Sequence, residues 1–292
     1  MPLRKKATGK RKQKTRKHKS YKKHRGGQTI SHPVSIFHFY NEFHYGDNIL
    51  NLKFFYNISK ILKEKNIQIH YYYSYDYIKN KEELERYVDP AVVILHDISE
   101  KPENTIQLWM GNTIENITHA DFDKYFRLFY KNILKYLGLQ DLPIDTSLYQ
   151  KEDYLLDIYA RLNSKFHDAH VLILNNPPAS GQFDFNQEKI DALADRLSKQ
   201  FKVVVLKPVN DIPSTSTDGL KLQDIGAIST HVKYIIGMNS GPLIPCFNSY
   251  TKESVKKWII YNKHTEQKVL EEVDILLLSK PENINSTDQY II

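Results

Sequence analysis

Cysteine is nearly missing from this chain: Cys246 stands alone among 292 residues. A single thiol makes no internal disulfide and no cysteine-ligated zinc site, and it suits a reducing, intracellular setting. No apolar run reaches the ~18 residues that a membrane-spanning helix needs. The first residues lack the apolar stretch of a secretory signal. Four motifs are also absent: Gly-x-x-x-x-Gly-Lys-Ser/Thr, Gly-x-Gly-x-x-Gly, Gly-x-Ser-x-Gly and His-Glu-x-x-His. Their absence argues against a P-loop nucleotidase, a dinucleotide fingerprint, a hydrolase nucleophile elbow and a zinc protease.

Acidic residues are missing from one place only. Residues 1–30 hold 13 Lys/Arg and no Asp or Glu. Taking those 13 from the chain's 41 leaves 28 Lys/Arg against 34 Asp/Glu, so residues 31–292 carry about −6 although the whole chain carries +7. The basicity belongs to a tail. That tail has too few apolar side chains to offset the entropy of ordering, and the expectation is disorder. Its charge density suits non-specific, salt-sensitive contact with nucleic acid or an anionic surface, or a nuclear address. A solvated tail that only aids solubility is the alternative.

The remainder is rich enough in apolar residues for a core, at 41% hydrophobic and 12% aromatic over the chain. Apolar strands are expected at 34–40, 67–73, 92–96, 105–112, 169–176, 201–207, 232–239 and 255–262. Helical spacing is expected over 49–63, 121–136, 151–166, 187–200 and 222–230. Uniformly apolar strands separated by helices predict parallel sheets flanked by helices. The expected organisation is an α/β protein with two Rossmann-like domains, 31–150 and 151–292, behind the disordered basic tail 1–30. Residues 137–150 read as the linker.

Ligands of open parallel sheets sit beyond the carboxyl ends of the strands, so the candidates are sought there. After the first strand come His44, Gly46, Asp47 and Asn48. Gly46 permits a tight turn. Asp47 or Asn48 is suited to cap the following helix, while Asp47 or His44 is equally suited to act as a general base. After the strand at 169–176, Asn175, Ser180 and Gly181 form either an ordinary turn or a set of hydrogen-bonding groups for a sugar or ribose. Lys207 ends the next strand and is a candidate phosphate partner. Ser240, Gly241 and Pro242 follow a buried strand and precede a short apolar segment. Pro242 fits a first helical position, and a helix N-terminus there would face a phosphate. The Asp121-Phe122-Asp123 stretch opens a helix, where acids favour the dipole, and reads as structural. No metal ligand set is expected.

Two segments, "YGDNILNLKFF" and "LQDIGAISTHVKYIIGMNSGP", resemble the opening Gly-Asp loop and the late Ser-Gly-Pro turn of the GT-B fold glycosyltransferases, most nearly the heptosyltransferase-like branch. The resemblance implies a nucleotide-sugar substrate held by the C-terminal domain and a glycan or other hydroxyl acceptor held by the N-terminal one, with no bound cofactor or metal. It implies Asp47 as the base, with His44 beside it and Gly46 and Asn48 in the acceptor loop. Ser240 and Gly241 would meet the donor diphosphate. Asp224, Asn175, Ser180, Gly181 and Lys207 would complete the donor side. The family pattern continues after Ser-Gly-Pro with a His, where this chain has Leu243. In composition, with its Lys/Arg tail ending in Gly-Gly, the chain also looks like proteins of large DNA viruses. That implies a host-cell cytoplasmic or virion-associated setting, or a nuclear one through the tail. The competing expectation is a non-catalytic, degenerate transferase fold that binds nucleic acid or another polyanion through its tail.

Overall fold

The computed structural model describes residues 33–75, 81–109, 122–177, 186–238, 240–261, 268–270 and 273–278. The chain divides into two compact units, Met1–Pro33 and Val34–Ile292, and both sheets belong to the second. The expected boundary at 150/151 therefore falls between two sheets of one unit.

The first sheet is built from β1 (Ser35–Asn41), β2 (Ile67–Tyr73), β3 (Val93–Asp97) and β4 (Ile106–Gln107), in the order β3-β2-β1-β4 with every pairing parallel. Side chains alternate across a strand. Phe39, Ile69, Tyr71 and Val93 thus share one buried face with Ile49, Leu52 and Phe55 of α1 (Tyr45–Asn57), Leu62 of α2 (Ser59–Glu64), Leu84 of α3 (Lys81–Glu85) and Ile133 of α4 (Phe122–Tyr136). Phe54 lies flat on Tyr130 with ring centroids 4.2 Å apart.

Two expectations change here. The first helix starts at Tyr45 and not at Ile49, and it breaks at Ile58. β4 is two residues long, and positions 110–112 of the expected strand lie outside the described residues.

The second sheet contains β5 (Val171–Leu174), β6 (Val203–Val205), β7 (Tyr234–Met238), β8 (Lys257–Tyr261), β9 (Lys268–Leu270) and β10 (Val273–Leu278). Its order is β6-β5-β7-β8-β10-β9, parallel except for β9, which runs antiparallel to β10. On one face α6 (Gln187–Ser198) presents Ile190, Leu193 and Ala194 to Val171, Ile173 and Val205. On the other lie α5 (Tyr154–Arg161), α7 (Leu222–Ser229), a 3-10 helix (Gly241–Cys246) and α8 (Ser249–Ser254). Leu172, Leu174, Ile225, Ile228, Leu243 and Trp258 on that side belong to the same core cluster as Phe39 and Phe55 of the first sheet. One core spans both sheets.

The segment read as a linker is packed instead. Thr146, Ser147, Leu148, Tyr149 and Gln150 are all buried. Buried backbone needs partners, and this segment has them. Asp123 accepts from Ser147 Oγ and from Leu148 N, each at 2.8 Å, so it is a structural acid. Gln150 O accepts from Ser249 N at 3.0 Å. Next to it, Lys53 of α1 and Glu152 form an ion pair at 3.2 Å with side chains only 3% and 1% exposed. Lys53 also donates to the Phe247 carbonyl. The expected helix over 151–166 is shorter, α5 followed by a 3-10 turn at Ser164–Phe166.

Candidate active site

Both strand orders contain a switch point, where the chain leaves one strand toward either side of the sheet. In the first sheet it lies between β1 and β4, and in the second between β5 and β7. The turn after β1 and the turn after β7 come together. A methyl group added to Gly46 would lie 3.6 Å from Gly241 Cα and 3.5 Å from Ile244 Cγ1. One added to Gly241 would lie 3.7 Å from Tyr45 Cδ1. The two segments that carry the family resemblance, nearly 200 residues apart in sequence, lie so close that a single methyl group on either glycine would bridge them.

Asp47 sits in the first turn of α1, and His44 occupies the N-cap position in an extended conformation without a side-chain capping bond. Neither Asp47 nor Asn48 is the cap. The Asp47 carboxylate is 3.8 Å from His44 Nδ1, with 19% of its side chain exposed against 41% for the histidine. Burial raises the Asp47 pKa above the usual carboxylate value, and His44 together with a backbone hydrogen bond pulls it partly back. A carboxylate made more basic by partial burial, yet still open to solvent, has the properties of a general base.

Asn48 does other work. It is fully buried, donates to the carbonyls of Phe43 (3.3 Å) and His44 (3.1 Å), and accepts from Tyr71 Oη at 2.9 Å. Asn51 extends the network to Tyr71 Oη and to the Leu108 carbonyl, which Asn41 also holds. These amides fix the Phe43–His44 backbone and so aim the first turn of α1. Asn48 is a positioning residue and makes no acceptor surface.

On the other side, Ser240 is extended and leads into the 3-10 helix, with Pro242 near its start. The expected α-helix is a six-residue 3-10 helix, so the aligned dipole offered to an anion is short. Asn175 is fully buried. Its Oδ1 accepts from Leu206 N (3.0 Å) and Lys207 N (2.8 Å), and its Nδ2 donates to Asp191 (2.9 Å) and the Lys207 carbonyl (3.1 Å). That accounts for both donors and both lone pairs of the amide. Asn175 therefore ties β5 to the end of β6 and has nothing left for a ligand. The Lys207 residue is exposed beside it. Asp224 accepts from Lys221 N at 2.7 Å at the start of α7 and lies 3.7 Å from Arg86, a helix-capping and ion-pairing role. Ser180 and Gly181 lie outside the described residues.

The residues brought together are thus His44, Gly46, Asp47, Ser240 and Gly241, while Asn175 and Asp224 are engaged elsewhere. Aromatic residues near this junction were not singled out from the sequence. Phe43 and Trp109 stack at 4.5 Å beside the His44 turn. Asp47 raises the Tyr125 pKa, after burial, which places that phenol within its field. Tyr45 packs against Gly241, and its buried hydroxyl has no hydrogen-bond partner among the described residues. Nothing in their spacing separates these rings from core aromatics. The signal that could have found them is adjacency: Phe43 and Tyr45 flank His44. Among the described residues, no group of three His, Cys, Asp or Glu side chains is placed to hold a metal ion. No helix among them is long and apolar enough to cross a membrane.

No protein-family model matches the chain, and no curated protein matches it. Among solved structures, E. coli heptosyltransferase WaaC with ADP-2-deoxy-2-fluoro heptose is similar with a TM-score of 0.51 and 8% identity, over 88% of this chain and 99% of that one. It shares the heptosyltransferase fold. A glycosyl transferase family 9 protein from Veillonella parvula DSM 2008 aligns over 88% of this chain and 89% of its own, at 14% identity and a TM-score of 0.47. The junction of Gly46 and Gly241 brings together the turn that follows β1 and the turn that follows β7.

Proposed function

We propose that the protein is a glycosyltransferase that moves a sugar from a nucleotide-sugar donor to a hydroxyl acceptor without a metal ion. The observation that carries this reading is the close approach of the Asp47 turn and the Ser240–Gly241 turn, one beside each sheet. Asp47 takes the proton of the acceptor hydroxyl. The resulting oxygen attacks the anomeric carbon as the bond to the diphosphate oxygen breaks, and the nucleoside diphosphate leaves. One displacement with one base inverts the anomeric configuration. Ser240 and the Gly241 backbone lie on the leaving-group side, where a bulkier residue than glycine would obstruct the diphosphate. The stacked Phe43–Trp109 pair supplies a flat apolar wall for a sugar ring of the acceptor.

The test is a thermal-shift series on the full chain with UDP, GDP, CDP and ADP, each with and without magnesium. One diphosphate is expected to raise Tm saturably without metal, since a ligand at 100 times its Kd adds about 2.7 kcal/mol. The shift is expected to vanish in Gly241→Val, whose methyl groups crowd Tyr45. Equal silence from all four nucleotides would overturn the reading.

A further inference from the structure

A cavity of about 460 Å³ opens among α3, α5 and α7. Arg86, just past α3, forms one side of it. Ile158, Arg161 and Leu162, at the end of α5, form a second, and Gln223 and Asp224, in the first turn of α7, form the third. Small-molecule sites commonly measure ~300–1,000 Å³, so this one has room for an organic ligand and far exceeds what a lone oxyanion fills. None of the six lining residues belongs to the group gathered at the Gly46–Gly241 junction. The cavity nevertheless shares a wall with it, because α7 is also the helix whose Gly226 backs Pro245.

The type of cation in the lining is informative. Residues 31–292 contain 24 Lys and only four Arg, and two of those four, Arg86 and Arg161, line this cavity. A guanidinium presents a planar fork of N–H groups that matches two oxygens of a carboxylate or phosphate, whereas an ammonium acts as a point charge. Both arginines are held from behind. Gln223, only 7% exposed, donates from Nε2 to the Arg86 carbonyl at 2.7 Å and so fixes the backbone from which that side chain springs. Arg161 Nε donates to the Asp157 carbonyl at 3.0 Å, a neutral acceptor that leaves the guanidinium charge uncompensated. Among the described residues no carboxylate pairs with Arg161. Arg86 Nη1 lies 3.7 Å from Asp224, too far for a good hydrogen bond. Asp224 is itself engaged by Lys221 N at 2.7 Å. Two guanidiniums against one carboxylate leave the lining net positive, and Ile158 and Leu162 add an apolar wall. A ligand complementary to this lining carries an oxyanion at one end and an apolar body at the other.

We propose that this cavity binds a small organic carboxylate or phosphate monoester, its oxyanion bridging Arg86 and Arg161 and its apolar part lying on Ile158 and Leu162. The site is independent of the transferase reading, since the donor diphosphate of that reading lies at the Ser240–Gly241 turn. A ligand here ties the end of α3 to α5 and α7.

NMR titrations of the full chain, methyl-labelled at Ile and Leu, with phenyl phosphate and with benzoate as probes, test this. Nuclear Overhauser effects from the probe ring to the Ile158 and Leu162 methyl groups are expected for at least one probe, and the tighter of the two identifies the oxyanion. Residues 1–30, with 13 Lys/Arg, also attract anions, so affinity is read as a difference between variants. Arg161→Met, at an exposed helix end, is expected to weaken binding by about tenfold or more. Arg161→Lys is expected to recover only part of that loss, because the fork is gone. Inorganic phosphate, which lacks the apolar body, is expected to bind about tenfold more weakly than phenyl phosphate. Ile158→Glu leaves both arginines in place and is expected to abolish the Overhauser effects. Their absence with both probes in the unaltered protein, or equal affinity in the unaltered protein and both of Arg161→Met and Ile158→Glu, would overturn the site. Overhauser effects that persist in Arg161→Met at undiminished affinity would overturn the oxyanion and leave an apolar cavity.

Discussion

Asp47 lies one turn inside α1, close to His44 and partly shielded from water, and its raised pKa has consequences of opposite sign for activity and stability. In the proposed role of base it must be ionised, so the proposed transfer is expected to fall on the acid side with a pKa above the ordinary carboxylate value. For stability, a carboxyl group with a raised folded-state pKa binds its proton more tightly when folded. Its favourable contribution is present below the unfolded value of ~3.9 and is lost as pH rises through the folded value. At neutral pH the ionised Asp47 is therefore a cost. Asp47→Asn is expected to reduce transfer by about 10²–10⁴-fold and to leave Tm equal or higher at pH 7, an advantage that disappears near pH 3.5. A parallel loss of fold and activity would make Asp47 a structural acid. The place of Asp47 in the turn after β1 was legible in the sequence because a Gly-Asp pair after a strand is local information. Asn48, Asn175 and Asp224 were not, because an amide or carboxylate that fixes a loop has the same letter as one that binds a ligand.

At the scale of elements, α7 decides where the Ser240–Gly241 turn sits. A methyl group on Gly226 would lie 2.9 Å from the Pro245 carbonyl oxygen and 3.0 Å from Pro245 Cβ. Both belong to a segment whose ring and backbone have little freedom to retreat. Gly226→Ala is expected to cost about 1–3 kcal/mol in urea unfolding, and to weaken the nucleotide-induced thermal shift because the 3-10 helix moves away from Tyr45. The bounds of α7 agree with the helical pattern of the sequence almost to the residue, while β7 starts two residues later than its apolar pattern. The 3-10 helix does not: Pro242 at its start is compatible with either helix type, and Pro245 inside it denies an α-helix its hydrogen bond. β10, with its Val-Asp-Ile-Leu-Leu-Leu run, lies outside the strands expected from the sequence.

For the molecule as a whole, the two sheets are joined by one continuous core and by a buried ionic link, Lys53 to Glu152, placed where α1 meets residues 145–152. Burial raises the Glu152 pKa, while the Lys53 charge and bonds from Asn57 and Lys53 oppose it. Removing one partner strands the other charge without water. Glu152→Gln is expected to destabilise the fold by about 3–5 kcal/mol, and Lys53→Met/Glu152→Leu to recover part of that loss, both read as the midpoint of a single urea transition. Two separated transitions in the unaltered protein would show that the halves unfold independently.

By itself the sequence determined the periodic and the local: alternating apolar strands, helices of 3.6-residue period, small-residue turns after β1 and β7, and a polycationic stretch set apart from an acidic remainder. These depend on neighbours within a few residues, and backbone sterics and hydrophobic patterning settle them at that range. Only the tertiary structure decided that Gly46 and Gly241 lie side by side, that residues 146–150 are core and no linker, and that Asn175 is spent on β6. Each of these is a choice of partner from tens to nearly two hundred residues away in sequence. Partners are set by how whole elements pack, which no local pattern encodes.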